Sequence, residues 1–562
     1  MPRTVVVLSG PVGSGKTTLA ERLAERYDLV HFKTHDFLTE LQPGVEQERR
    51  TLQEFGEKLD RQTGGDWVRD RLQKAIQSRQ LPDDVTIILD SVRIPGQVES
   101  LRAAYGRSVL HIHLTAPDRV LESRYRSRES PNLRELSSYA EVRANATESR
   151  VEQLEGIADV VMDTNRNTVL DVVTRAACHI GLYGRDCPRL VDVLVGGQYG
   201  SEGKGQIAAY LSSEYDFLVR VGGPNAGHTV YQEPSPYTFH HLPSGTLGSP
   251  AHLILGPGAV IYPPTLLKEI ADCHVDCNRL SIDPQAMIIT DEDMKKEKAL
   301  RDTIASTQKG VGCATARKII GRSDKDTCLA RDIPDFNPFV RETCPILEEA
   351  FREHRHVLLE GTQGTGLSIH HGAYPYVTSR DTTVAGCLAE AGISPSRVRR
   401  VIMVCRTYPI RVQSPGGGKT SGPLYQQISW KEIHRRSGIP YDKLLRCERT
   451  STTNRRRRVG EFDWVLLRKA ASLNAPTDVA LTFVDYLTIE NRNARRFEQL
   501  NEETIRFIEE VERVAAAPVS LISTRFHSRS IIDRRNWQGI SRAADNREEN
   551  AANIRREPDQ RG

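Results

Sequence analysis

A chain of 562 residues with 38% hydrophobic residues is long enough for two or three domains, each with its own core. A net charge of only +4 argues against a nucleic-acid coat and leaves small anionic ligands open. No apolar run approaches the roughly 20 residues that span a bilayer, and ten scattered cysteines without CxxC pairs read as reduced thiols, not as a disulfide framework or metal site. The expectation is a cytoplasmic protein with no membrane and no nucleic-acid partner.

Residues 1–183 predict one α/β unit. Val5–Leu8 is a short apolar strand, and Thr18–Tyr27 has the pattern of an amphipathic helix. Between them Gly10-Pro11-Val12-Gly13-Ser14-Gly15-Lys16-Thr17 satisfies G-x-x-x-x-G-K-[ST] in the strand-to-helix context that gives the motif its meaning. Backbone N–H groups at Gly10, Gly13 and Gly15 would cradle phosphates. Lys16 would reach the β- and γ-phosphates, and the Thr17 hydroxyl would hold Mg2+. Thr86–Asp90 and Val109–Leu114 are further strands, and alternation with helices implies a parallel sheet. Asp90 would orient the metal or its water. Arg124, Arg126 and Arg128 read as a phosphate clamp or a solvated helix face, and His35-Asp36 would meet an acceptor. The unit resembles small P-loop nucleotide kinases. It is expected to bind ATP and phosphorylate a nucleoside monophosphate, with a nucleotide-gated regulatory domain as the alternative.

Residues 184–189 read as a linker, 190–533 as a second strand-first α/β domain, and 534–562 as a polar tail with little to bury, expected to be mobile. The apolar run Leu190–Val195 leads into Gly196-Gly197-Gln198-Tyr199-Gly200-Ser201-Glu202-Gly203-Lys204-Gly205 and then a helical pattern. That is a second phosphate-site layout of different design: Gln198 stands where a P-loop has glycine, and Gly205 where it has Ser or Thr. Gly222-Gly223-Pro224-Asn225-Ala226-Gly227-His228-Thr229 follows about twenty residues on.

Together these two runs resemble the adenylosuccinate synthetase family over roughly residues 190–530. That family joins L-aspartate to C6 of a purine nucleotide using GTP. The resemblance implies His228 as the electrophile or acid at O6, with Asn225 near the purine and the Gly227 carbonyl on Mg2+. It implies Gly200, Glu202, Gly203, Lys204 and Gly205 around the nucleotide phosphates. Thr307 in Thr307-Gln308-Lys309-Gly310, Gln363 in Glu360-Gly361-Thr362-Gln363, and Thr378 in Tyr374-Pro375-Tyr376-Val377-Thr378 would meet the purine monophosphate. Arg322 would reach across a homodimer interface. Thr453, Arg455 and Arg457, in Thr452-Thr453-Asn454-Arg455-Arg456-Arg457-Arg458, would grip L-aspartate.

Two positions depart from the family. Ser201 stands where the family has its catalytic aspartate, and a hydroxyl is no carboxylate base without activation. Serine leaves room for a group at purine C2 and resembles phage-type 2-aminoadenylosuccinate synthetases, which implies (d)GMP as substrate. The second departure is Thr482-Phe483-Val484-Asp485, where the family's guanine-reading Thr-Lys-x-Asp loses its lysine, so that ATP rivals GTP as donor beside Asp485. Ordinary synthesis from IMP with GTP, and an inactive nucleotide sensor, are the alternatives to a (d)GMP ligase.

Overall fold

The computed structural model describes residues 2–42, 49–127, 138–143, 150–183, 187–231, 235–298, 304, 306–322, 327–413, 421–450, 454–527 and 529–535. They divide into two compact units, Met1–Asp186 and Cys187–Gly562.

The first unit is a five-stranded parallel sheet built from β1 (Thr4–Ser9), β2 (Val30–Lys33), β3 (Thr86–Asp90), β4 (Val109–Thr115) and β5 (Val160–Asp163). Its spatial order is β2-β3-β1-β4-β5. Alternate residues of β1 feed two cores. Val5 and Val7 pack with Phe32, Trp67 and Leu72, while Val6 and Leu8 pack with Leu19, Leu23 and Ile112. Burial on both faces explains why these strands read as unbroken apolar runs. The central β1 delivers the phosphate loop to the carboxyl edge of the sheet, and the helix Lys16–Tyr27 begins two residues earlier than the pattern predicts.

The second unit holds a nine-stranded sheet. Its strands in spatial order are Leu280–Ile282, His252–Leu255, Phe217–Arg220, Val357–Glu360, Val191–Gly196, Val398–Arg406, Asp478–Thr482, Val519–Ser523 and Ile531–Asp533. All neighbours are parallel except the last pair. Val191, Val193 and Val195 point into one core and Leu194 into the other. Asp192, fully buried in that strand, is held by Arg399 at 2.8 and 2.9 Å and by the Tyr215 hydroxyl at 2.7 Å. The strands Val191–Gly196, Phe217–Arg220, Val357–Glu360, Val398–Arg406 and Asp478–Thr482 carry the candidate site at or just beyond their carboxyl ends, the usual ligand edge of an open α/β sheet. Among the described residues no helix is long and apolar enough to cross a membrane. Residues 184–186 of the expected linker and the tail from 536 lie outside the described residues.

Candidate functional site

In the second unit the loop after Val191–Gly196 wraps around one carboxylate. Glu202 is fully buried, and its Oε1 accepts from the backbone N–H groups of Gln198 at 3.0 Å and Gly200 at 2.7 Å. Its Oε2 takes Lys204 Nζ at 2.6 Å, and the same lysine reaches the Gly200 carbonyl at 3.4 Å. Glu202 therefore shapes the loop from inside. Gly200 and Gly203 have φ of 97° and 89°, the left-handed region that glycine enters freely. A Cβ on Gly205 would come within 2.8 Å of the His228 Cβ, so glycine there lets the phosphate loop and the histidine strand touch.

His228 opens the strand His228–Val230 and is 5% exposed. Its Nδ1 meets Glu360, at the end of the adjoining strand. The Ser244 hydroxyl and backbone N–H (2.7 Å) also donate to Glu360, and the Arg220 guanidinium lies 3.6 Å away. Burial pushes the Glu360 carboxyl up, but Arg220 and His228 outweigh it and hold it at about 2. Burial, aided by Arg220 and opposed by Glu360, lowers His228 to about 4. An ionised Glu360 only accepts, so the Nδ1 proton of a neutral imidazole points at it, and Nε2 keeps its lone pair. Nε2 is buried without a hydrogen-bond partner among the described residues. Sequence reasoning quoted Glu360 only as the start of a motif and missed Arg220 altogether. Arg220 is 2% exposed and ties Ala226, Phe239 and Leu242 together through their carbonyls at 3.1–3.3 Å.

Three predicted substrate residues come together. Gln363 Nε2 donates to Asn225 Oδ1 at 2.9 Å, and Asn225 Nδ2 to the Thr378 hydroxyl at 3.4 Å. Arg380, 8% exposed, braces this chain through the Thr362 hydroxyl at 2.9 Å. Arg455 donates to the Ser306 carbonyl at 3.1 Å, which brings the arginine run to the Thr307 loop. Arg457 is held by Glu448 at 3.0 Å, and its Nε is buried without a partner among the described residues. Glu448, 3% exposed, also takes Arg406 at 3.0 Å and the Tyr486 hydroxyl at 2.7 Å. Burial pushes Glu448 up, and Arg406 and Arg457 override it to about 2. The grip pictured for Arg457 is thus already engaged by a carboxylate of its own chain. Arg322 is exposed beyond the helix Val311–Ile320 and makes no hydrogen bond or ion pair among the described residues. Thr453 lies outside the described residues.

Arg406 also explains the local setting of Ser201 and Asp485. Its guanidinium donates to the Ser201 carbonyl at 3.3 Å and lies over the Phe483 ring at 4.1 Å. The Ser201 hydroxyl has no partner among the described residues and Ser201 is partly exposed. Asp485 is 7% exposed, and its Oδ1 is unpartnered among the described residues. Burial raises it to about 7 against the opposing pull of Arg492, Lys443 and Arg406. A folded-state value above the unfolded one means that the folded protein binds the extra proton. Stability is then fully present below about pH 4 and is lost as pH rises through about 7. Replacing Asp485 by Asn is expected to raise stability at pH 8 by up to a few kcal/mol, with the gain shrinking toward pH 4. Denaturant titrations at several pH values check this, and a gain independent of pH would refute it.

In the first unit Lys16 Nζ donates to the carbonyls of Gly10 at 2.7 Å and Pro11 at 2.9 Å, and the Thr17 hydroxyl to Asp90 at 2.7 Å. A hydroxyl backed by a carboxylate beside a phosphate loop is a donor set that suits Mg2+ with waters and phosphate oxygens. Arg124 donates to the Gly13 carbonyl at 3.3 Å and to Thr164. Arg126 is instead exposed and paired with Glu122, and Arg128 lies outside the described residues. Gly13, Lys16, Thr17, Asp90, Arg124 and Thr164, with His35, line one cavity of 680 Å3.

The buried His228–Glu360 pair, the glycine-rich loop around Glu202 and the Gln363–Asn225–Thr378 chain lie along one sheet edge and form the candidate nucleotide site. The second unit matches the family model for adenylosuccinate synthetase over residues 193–332 and 329–492, and the first matches that for an AAA domain over residues 6–171. The adenylosuccinate synthetase of Pyrococcus horikoshii is 34% identical over 352 residues, spanning 61% of this chain and 98% of the relative. That of Methanocaldococcus jannaschii is 36% identical, spanning 61% and 96%. Among solved structures, the cyanophage S-2L succinoaminodeoxyadenylate synthetase, bound to dGMP and to dATP as an energy donor, is 29% identical with a TM-score of 0.52, over 63% of this chain and 98% of that one. The Plasmodium falciparum adenylosuccinate synthetase shares the fold, at 22% identity and a TM-score of 0.53 over 62% and 100%. The chain belongs to the adenylosuccinate synthetase family, as a carbon–nitrogen ligase preceded by a P-loop domain.

Proposed function

We propose that the second unit joins L-aspartate to C6 of GMP or dGMP, giving 2-aminoadenylosuccinate or its deoxy form. The observation that carries this reading is Ser201, an open hydroxyl where the family's carboxylate stands, in a site that keeps its His228–Glu360 pair. A hydroxyl accepts from a 2-amino group and leaves it room. The solved cyanophage relative bound to dGMP supports the same choice.

The chemistry has two steps. O6 of the purine attacks the γ-phosphate of the donor, and the bond to the β–γ bridging oxygen breaks, leaving a nucleoside diphosphate and a 6-phosphoryl purine. The N1 proton must leave in this step, and His228 Nε2, arriving with its lone pair, can take it. Glu360 steadies the resulting imidazolium. The neutral amine of L-aspartate then attacks C6, phosphate leaves with the proton that the imidazolium returns, and the new C6 nitrogen gives up one proton to water. The Gly227 carbonyl would be among the groups that hold Mg2+, which when bound would neutralise charge on the phosphates. Lys204 leaves Glu202 for phosphate oxygens, while Asn225, Gln363, Thr307 and Thr378 bind the monophosphate. Thr453 and Arg455 take the aspartate carboxylates, with Arg457 bracing the loop through Glu448. We assign Arg322 to a homodimer partner's site.

For the donor we favour an adenine nucleotide. A protonated Asp485 offers one O–H and one C=O, which match adenine N1 and N6–H2, whereas a carboxylate matches the two donors of guanine. Phe483 supplies no cation to keep Asp485 ionised. The first unit binds ATP at Lys16 and Thr17 and phosphorylates a nucleotide.

The test is a matched turnover assay with Mg2+, L-aspartate, ATP or GTP, and IMP, GMP or dGMP, with products identified by mass. Succinylated GMP or dGMP is expected. A strong preference for IMP, or monophosphate binding without product, would overturn the reading.

A further inference from the structure

The cavity of the first unit has two wings about the phosphate loop, as the strand order requires. One wing follows β4 and β5 and is lined by Arg124, Thr164 and Asn167; the other follows β2 and β3 and is lined by Leu38, Gly56, Asp60, Trp67 and Gln97. The second wing mixes apolar and polar side chains and holds two carboxylates, Glu57, which pairs with Arg61 at 3.3 Å, and Asp60. Asp60 is 8% exposed, in the helix Arg49–Thr63. Its Oδ1 accepts both the Trp67 indole N–H at 2.7 Å and the Gln97 amide at 2.9 Å. Gln97 is pinned in turn, because its Oε1 takes the Arg93 backbone N–H at 2.9 Å. Two donors fix one oxygen of the carboxylate, and Oδ2 is left without a partner among the described residues in a side chain that lines the cavity. A carboxylate oxygen open to a cavity and held rigid at its wall is suited to a ligand that brings a donor.

We propose that this wing binds the base of the acceptor nucleoside monophosphate, and that Asp60 Oδ2 selects bases carrying an exocyclic amino group. The inference rests on the kinase reading given above and goes beyond it by naming the acceptor's recognition. The transfer it serves moves the γ-phosphoryl group of ATP to a 5'-phosphate oxygen of the acceptor. The bond to the β–γ bridging oxygen breaks, a new P–O bond forms, and ADP and a nucleoside diphosphate leave. Burial raises the Asp60 carboxyl, opposed by its bonds to Trp67 and Gln97 and by the charge of Arg150.

The test uses the full chain without L-aspartate, with the background of a Lys16→Met variant subtracted. Phosphoryl transfer is compared for CMP against UMP and for AMP against IMP, pairs that differ by an amino group in place of a carbonyl. The wild type is expected to favour CMP and AMP. In Asp60→Asn the amide oxygen can still accept from Trp67 and Gln97, which turns its NH2 to the cavity, so the kcat/KM ratio within each pair should swing by roughly 100-fold toward UMP and IMP. Equal loss across both members of each pair would mean that Asp60 only braces Trp67 and Gln97, and overturns the proposal. Absence of transfer to every monophosphate overturns it together with the kinase reading. Ligation by the same Asp60→Asn preparation, measured with aspartate restored, reports separately on the second unit and is expected to be unchanged.

Discussion

His228→Ala is expected to lower ligation by roughly 10^3-fold or more, toward the upper end of what a general acid–base group contributes, while Lys16-dependent phosphoryl transfer by the first unit continues. The expectation follows from geometry. Nε2 is the open end of a buried pair whose other end is fixed by Glu360, and Glu360 is itself held by Ser244 and Arg220. Because the working form is the neutral imidazole, kcat/KM should be flat across neutral pH and fall as pH drops through the His228 value of about 4 in the free protein. An alanine variant that keeps ligation within tenfold would remove His228 from the proton path. Parallel loss of both activities would show that the two sites are not independent.

The second large effect concerns Ser201→Asp. The turnover ratio of GMP to IMP should move by about two orders of magnitude toward IMP. The substitution adds a carboxylate in the loop that Arg406 holds through the Ser201 carbonyl. That carboxylate would supply a base for N1 and fill the space proposed for the 2-amino group. A ratio that stays within threefold of wild type would mean that Ser201 does not set the choice between these purines.

Local signals made the framework legible from residues alone. Apolar runs ending in glycine loops marked both candidate phosphate loops, and the strands Thr86–Asp90, Val109–Thr115 and Val191–Gly196 coincide with, or lie within a residue or so of, the predicted runs. What stayed hidden is the set of buried ion pairs. Glu360 lies 132 residues from His228, and Glu448 lies 42 from Arg406. A single charged residue at the end of an apolar strand announces that it needs a partner, but only the sheet order names that partner. Arg220 closes such a strand and could have been flagged on that ground. The carboxylate of Glu202 folding back under its own loop was equally invisible, because a glycine-rich sequence does not reveal which of its charges faces inward.

Among the described residues the sheet of the second unit is closed on one side by its single antiparallel strand, Ile531–Asp533, clamped by Arg535 to Glu214 at 2.6 and 2.9 Å. This strand is made by the ribosome after every other strand of the sheet. Until it arrives, the strand Val519–Ser523, buried along its whole length in the finished protein, offers an unpaired edge of N–H and C=O groups to any neighbouring chain. That edge therefore stays open until residues 531–533 are in place. Chains that terminate early, just short of residue 531, should collect in the insoluble fraction even though every candidate active-site residue is present in them.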